Sequence, residues 1–247
     1  MLIGENYIEL EIVDSTNNYA QELLRKSHPT EGTLIFAGYQ NGGIGQSGNS
    51  WVSEKNSNHL LSIILYPHFV HPEQLFLLVQ TFSLGVADFL QQYLDHKNVR
   101  IKWPNDILID NSKICGILIN NNFEQNKIKS SIIGIGLNIN QTVFPNEIVN
   151  PVSLKLLTGK NYDLTETRQE LCKFLSNRYN QLLNNQSDII VSDYTSLLYR
   201  FNELCSFQNS NKEEFIGKIL GVLPDGRLKI FFNNKVLLFQ FKEVSFV

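Results

Sequence analysis

The sequence predicts an α+β fold: a mixed sheet with helices packed on it, followed by a small C-terminal β-barrel. Three patterns predict it. Short runs of alternating apolar residues recur along the chain. Two long stretches instead carry apolar residues at helical spacing. From Phe215 onward the alternation becomes tight and is punctuated by turn residues. A chain of 247 residues can bury one large domain, or one large and one small. The expected division is residues 1–208 and 209–247.

Ile8-Glu9-Leu10-Glu11-Ile12-Val13 alternates and reads as a strand. Asp14-Ser15-Thr16-Asn17 supplies several helix N-caps ahead of Tyr19–Leu24. Thr33–Tyr39 reads as a second strand, and Leu60–Tyr66 as a third, closed by Pro67. From about Pro72 to Leu94, Leu75, Leu78, Val79, Phe82, Val86, Phe89 and Leu90 keep helical spacing. Residues 99–139 read as a run of strands, with Asp110-Asn111-Ser112 and Asn120-Asn121-Asn122 as hairpin turns. Asp163-Leu164-Thr165-Glu166 resembles a capping box and opens a helix with Leu171, Phe174, Leu175, Tyr179 and Leu182 on one face. Tyr194–Leu204 reads as another helix. In the last segment Leu228, Ile230 and Phe232 share one face, between turns at Pro224-Asp225-Gly226 and Asn233-Asn234.

Composition narrows the function classes. Hydrophobic residues make up 43% of the chain, as in ordinary globular proteins, and the net charge is −3, against a dedicated nucleic-acid surface. No long uncharged apolar run stands out, so no membrane span is expected. Gly4, Glu5 and Asn6 interrupt any signal-peptide pattern. Cys115, Cys172 and Cys205 are widely spaced and odd in number, which fits small core residues in a reducing cytoplasm. The histidines His28, His59, His68, His71 and His96 show no metal-ligand spacing and are expected at surface or loop positions.

Polar residues concentrate in three places. Lys102-Trp103-Pro104-Asn105-Asp106 lies between apolar runs, and unpaired buried charge is costly, so these groups are expected to face a ligand. With Lys113, Lys102 suits an anionic substrate or a reaction between two anions. Gly42-Gly43-Ile44-Gly45-Gln46-Ser47-Gly48-Asn49-Ser50-Trp51 follows a strand, and its glycines let backbone N–H groups approach a ligand. It is neither a Walker loop nor a Rossmann fingerprint. Trp51 is either core or a platform for a base. Gly134-Ile135-Gly136-Leu137-Asn138-Ile139-Asn140 places glycines in a strand, a sign of close approach, with Asn138 and Asn140 on one face to read ribose or base edges.

Taken in order, Asp14–Asn17, Gln40 with the loop ending at Trp51, Lys102–Asp106, Lys113-Ile114-Cys115-Gly116-Ile117-Leu118 and Gly134–Asn140 resemble the biotin protein ligases over about residues 8–140. The resemblance implies a class II synthetase-like catalytic fold with a small SH3-like C-terminal domain. It implies activation of biotin by ATP, with Mg²⁺, to biotinyl-5′-AMP, then transfer to a lysine of a biotin carboxyl carrier protein. It implies Lys113 as the leading catalytic residue, Lys102 at the phosphates and Asp106 orienting a lysine or the incoming amine. Biotin would be held by Ser15, Thr16, Gln40, Gly43, Gly45, Lys113 and Gly116, and the adenylate by Gln46, Trp51, Asn105 and Asn138. No residue is assigned to a metal. Two departures stand out. Ile44 and Gln46 occupy positions where many relatives carry arginines, and Asn120 stands where a glutamate often ends the strand. The alternative is a weakly active biotin or biotinyl-AMP binding protein, motivated by Ile44. A lipoate or octanoate transferase fits the tryptophan-ended loop and Lys102–Asp106 less well. Neither nucleic-acid nor membrane binding is expected. The chain reaches its first strand within about seven residues, so no DNA-binding module is expected. Family members are monomers or homodimers, and a homodimer is the preferred expectation.

Overall fold

A seven-stranded sheet organises the larger part of the computed structural model, which describes residues 1–94 and 99–247. His96 lies outside the described residues. The strands are β1 (Tyr7–Val13), β2 (Leu34–Gln40), β3 (His59–Leu65), β4 (Val99–Lys102), β5 (Asp106–Ile109), β6 (Ser112–Glu124) and β7 (Lys127–Leu137), in spatial order β1-β2-β3-β7-β6-β5-β4. β1 and β2 are parallel and the remaining neighbours antiparallel, so the sheet is mixed as expected. A parallel pair needs a crossover. Helix α1 (Thr16–Lys26) supplies it and packs Ala20 on Ile35, Ile64 and Ile132. The alternate residues Leu34, Phe36, Ile63, Leu65, Ile133 and Ile135 face the other way, into the main core. There α2 (Phe76–Leu90) and α4 (Leu164–Leu183) cover the sheet, and they approach closely because Gly85 has no Cβ to meet Leu175. Asp163 caps α4 by accepting from the N–H groups of Thr165 and Glu166. Helix α3 (Leu154–Thr158) is short, and α5 (Ser187–Leu197) follows α4.

Several expectations are corrected. Pro72–Leu90 is, by length and composition, long and apolar enough to cross a membrane, although it carries Glu73 and Asp88; the stretch is mostly buried inside the fold as its core helix. Asn120-Asn121-Asn122 is not a turn but part of β6, near its end. The amides are satisfied across strands and helices: Asn120 with Asn17, Asn121 with Ser131, Asn122 with Gln21 and Ser130. The reversal comes at Gln125 and Asn126, both in the left-handed region. The helix expected over Tyr194–Leu204 runs over Ser187–Leu197 instead. Leu198 turns extended and bridges β4 at Ile101, with Tyr199 N–H donating to the Ile101 carbonyl at 2.9 Å. Ser15 holds the N-cap position of α1 without a capping hydrogen bond. Asn140 does not read a ligand: its amide pairs with the backbone of Tyr162 in both directions.

The C-terminal strands are β8 (Leu204–Asn209), β9 (Glu214–Val222), β10 (Leu228–Phe232), β11 (Lys235–Phe239) and β12 (Val244–Phe246). They form an antiparallel sheet in the order β11-β10-β9-β8-β12, open where a barrel is expected. Its buried face, with Phe207, Ile219, Leu228 and Ile230, joins the same apolar core as the helices. Trp103 binds this sheet to the larger one. Its indole N–H donates to the Gly226 carbonyl at 2.8 Å, and its ring meets Phe241 edge-on. Trp103 is thus a strut between the sheets, and it also lines the cavity between them.

His59 is buried on β3, not at the surface, with Nε2 3.0 Å from Thr167 Oγ1. Burial, with a smaller push from Arg168, lowers its pKa to about 3. The folded protein therefore keeps His59 neutral while the unfolded chain takes up a proton below about 6.5. This contribution to stability is complete above pH 6.5 and fades as pH falls toward 3. Urea unfolding at pH 7 and pH 5 should show that His59→Gln loses less stability over this interval than the wild type. Equal losses would refute the assignment.

Candidate active site

The floor of the site is a glycine pair. Gly116 on β6 and Gly136 on β7 sit opposite each other in register. The indole of Trp51 lies on them: a Cβ at Gly136 would stand 2.3 Å from the ring, and one at Gly116 3.0 Å. The loop brings Trp51 there by folding back on itself. Trp51 N–H donates to the Gly43 carbonyl at 2.8 Å, Ile44 bridges Ser50, and Gly45 N–H donates to the Asn49 carbonyl at 2.7 Å. Gly43 is buried in this fold-back and does not line the cavity; a Cβ there would meet the Trp51 carbonyl oxygen at 2.3 Å. The indole N–H of Trp51 is buried without a hydrogen-bond partner, the mark of a group awaiting an acceptor.

Beside Trp51 opens a cavity of about 310 Å³. Of the residues singled out from sequence, Ser15, Thr16, Gln40, Gly45, Gln46, Trp51, Lys102, Asn105, Asp106, Lys113 and Gly116 all line it, and so does Ile44. Asn138 does not. It lines an adjoining cavity of about 90 Å³ together with Trp51 and Lys113. Its Nδ2 donates to the Val152 carbonyl and its Oδ1 is buried without a partner. Asn105 is partly committed to structure, because its side-chain amide donates to the Ile117 carbonyl and ties the β4–β5 turn to β6.

The cavity is polarised. At one end are neutral hydrogen-bonding groups from the start of α1 and the end of β2, namely Ser15, Thr16 and Gln40. At the other are the cations. Lys113 Nζ lies 2.6 Å from Asp106 Oδ1 and 5.6 Å from the Trp51 ring centroid. Its backbone is clamped on both sides, with its N–H donating to the Asn150 carbonyl and its carbonyl accepting from Val152. Lys102 pairs in register with Asp106, and its Nζ lies 5.1 Å from the Phe246 ring centroid. Burial pushes the Lys102 ammonium below the usual lysine range; Asp106 opposes this, and Lys113 and Arg200 add to it. Such a site can hold a molecule with a neutral polar head and an anionic tail, and can offset charge where two anions meet.

The C-terminal sheet closes this end with Phe241, Val244, Ser245 and Phe246. Nothing in their sequence marks them, since their place at the site depends on packing between the two sheets. Asn17 and Gly136 also line the cavity without having been singled out individually. Among the described residues no three His, Cys, Asp or Glu side chains cluster as metal ligands.

Gly136→Ala is expected to displace the Trp51 ring and cost about 1–3 kcal/mol, the usual range for overpacking. Iodide quenching of tryptophan emission should rise in the variant; unchanged quenching would show that the ring does not rest on this glycine.

Known proteins are similar in architecture and in sequence. A biotin protein ligase from Aquifex aeolicus, solved in complex with biotin and ATP, superposes with a TM-score of 0.78 at 26% identity, covering 98% of each chain. The bifunctional ligase/repressor BirA of Bacillus subtilis (strain 168) is 29% identical over 241 residues, 95% of this chain and 72% of the relative. The biotin–[acetyl-CoA-carboxylase] ligase of Mycobacterium tuberculosis is 24% identical over 159 residues, 62% of this chain and 57% of the relative. The biotin/lipoate A/B protein ligase family matches residues 9–138, more than half of the chain, and the chain belongs to that family.

Proposed function

We infer that the chain is an ATP-dependent biotin–protein ligase. The observation that carries this reading is the polarised cavity, with Ser15, Thr16 and Gln40 at its neutral end and Lys102, Lys113 and Asp106 at its charged end. Biotin has the matching polarity: an uncharged ureido ring system and a carboxylate tail. With the rings at the neutral end, the tail points toward Lys113. The carboxylate oxygen then attacks the α-phosphate of ATP, the bond to the β-phosphate oxygen breaks, and biotinyl-5′-AMP and pyrophosphate form. In the second step a lysine amine of a biotin carboxyl carrier domain attacks the activated carbonyl and AMP leaves.

Both reactants of the first step are anions. Lys113 sits at their meeting point, with Lys102 as the second cation. The Asp106 contact holds the Lys113 ammonium in place before substrate arrives. In the second step the same carboxylate is the nearest group to orient the incoming amine. Trp51, with its unpartnered indole N–H, and Asn138, with its unpartnered Oδ1, are the groups suited to the adenylate. Mg²⁺, where it binds, would draw on Asp106, a carboxylate of the cavity wall, and would supply positive charge to offset the phosphates. Holding both substrates in one enclosed site supplies much of the rate.

We also read the chain as two units, the second an SH3-like module that starts with β8, a few residues ahead of the expected 208/209 division. The pairing of β8 with β9 and β12 supports assigning Leu204–Asn209 to the second unit.

Two experiments test the reading. Lys113→Ala should lower biotin-dependent pyrophosphate release by about 100- to 1000-fold, as for other groups that stabilise developing charge. Near-normal release would remove Lys113 from the chemistry. Ile44→Arg should slow dissociation of biotinyl-AMP by adding a bidentate partner to the cavity wall. An off-rate equal to the wild type would show that the arginine-free loop retains the adenylate by other means.

A further inference from the structure

Behind the neutral end of the cavity lies a hydrogen-bond relay. Thr16 N–H donates to Gln40 Oε1 at 2.7 Å, and Thr16 Oγ1 lies 3.0 Å from the same oxygen. Ser62 Oγ lies 2.7 Å from Thr16 Oγ1 and 2.6 Å from Asn17 Oδ1. Asn17 Nδ2 donates to Asn120 Oδ1 at 3.1 Å and to the Leu118 carbonyl at 3.4 Å. Ser62, Thr16 and Asn17 are 0%, 3% and 8% exposed. The Asn17 amide is seated against Gly134, where a Cβ would stand 2.4 Å from Oδ1.

Proton counting fixes what this wall offers. The Leu118 carbonyl can only accept, so Asn17 must direct its NH₂ there and its oxygen toward Ser62. The Thr16 N–H can only donate, so Gln40 must direct its oxygen there and keep its NH₂ for the cavity. Three oxygen–oxygen contacts then share two hydroxyl protons, those of Ser62 and Thr16. Both protons are consumed inside the wall. Thr16 is left with lone pairs, and no proton, for a ligand.

We propose that Ser62, oriented by Asn17 and Asn120, is a positioning residue that commits the Thr16 proton to the wall and so selects a ligand head carrying an N–H beside a carbonyl. The inference rests on the biotin reading above. A ureido ring fits: its carbonyl accepts from Gln40 Nε2 and one N–H donates to Thr16 Oγ1. A ring without N–H groups, such as a dithiolane, leaves Thr16 facing it with an unmet acceptor, a costly arrangement once buried. The asparagine at position 120 has a role in this scheme, since its oxygen helps hold the Asn17 amide in the required orientation.

The test compares the wild-type chain with Ser62→Ala and Ser62→Cys, using biotin and a ureido N-methyl biotin as substrates. Loss of the Ser62 hydroxyl leaves the Thr16 proton divided between Gln40 Oε1 and the ligand, where the wild type commits it to the wall. KM for biotin should rise about tenfold, the scale of one misdirected buried hydrogen bond, while KM for ATP stays within about twofold. The preference for biotin over the N-methyl analogue should shrink at least about fivefold. Ser62→Cys keeps the shape with a weaker donor and should move both values the same way. Thermal melting checks that each variant folds. A folded variant with wild-type KM for biotin and unchanged analogue preference overturns the proposal. A parallel rise in both substrates' KM makes Ser62 merely structural. Failure of the wild type to label a carrier domain sinks the ligase reading instead.

Discussion

The site depends on the absence of two side chains. Gly116 and Gly136 leave the centre of β6 and β7 bare, and the flat patch takes the Trp51 indole at contact distance. That contact decides where the glycine loop goes, because Trp51 is tied to Gly43 and Ile44 to Ser50. The loop's course in turn divides the space into the larger cavity with the lysines and the smaller one with Asn138. A methyl group on either glycine changes all three at once.

Charge and neutrality are separated by the topology. The parallel β1–β2 pair and its crossover helix bring Ser15, Thr16 and Gln40 together, since the start of α1 and the end of β2 lie at the same edge. The tight β4–β5 reversal and the start of β6 bring in Lys102, Asp106 and Lys113. A neutral head and an anionic tail are thereby recognised by different parts of one sheet. The second sheet adds a wall at the charged end, where Phe246 lies beside Lys102, and it is held there by Trp103. The pentapeptide Lys102–Asp106 accordingly splits its work: the lysine and the aspartate face the cavity, the tryptophan binds the sheets together, and the asparagine is shared between cavity and backbone.

Much of the fold was legible because periodicity reports burial directly. β1, β2, β3, β7, α2 and α4 fall where alternation or helical spacing places them. The failures have physical causes. Asn120–Asn122 carries a turn composition, yet the amides are satisfied by partners on α1 and β7, which no local reading can supply. Tyr194–Leu204 is apolar enough for helix, but Leu198 gains a main-chain bridge to Ile101 by leaving it. His59 looked polar and exposed, and is buried against Thr167, 108 residues away in sequence.

The sequence by itself determined the chemistry of the site: two lysines, a carboxylate, a glycine loop ending in tryptophan and a cluster of neutral hydrogen-bonding groups, each encoded within a few consecutive residues. The tertiary structure alone decided the division of labour among them. It withdrew Gly43 into a supporting role, gave Trp103 the task of joining the sheets, moved Asn138 to a separate cavity, and brought Phe246 and Ser62 into play from distant strands. The reason is that residue type sets what a group can donate, accept or carry as charge. Which partner it meets is set by long-range pairing and packing, and buried polar groups are consumed by whichever partner the fold presents first.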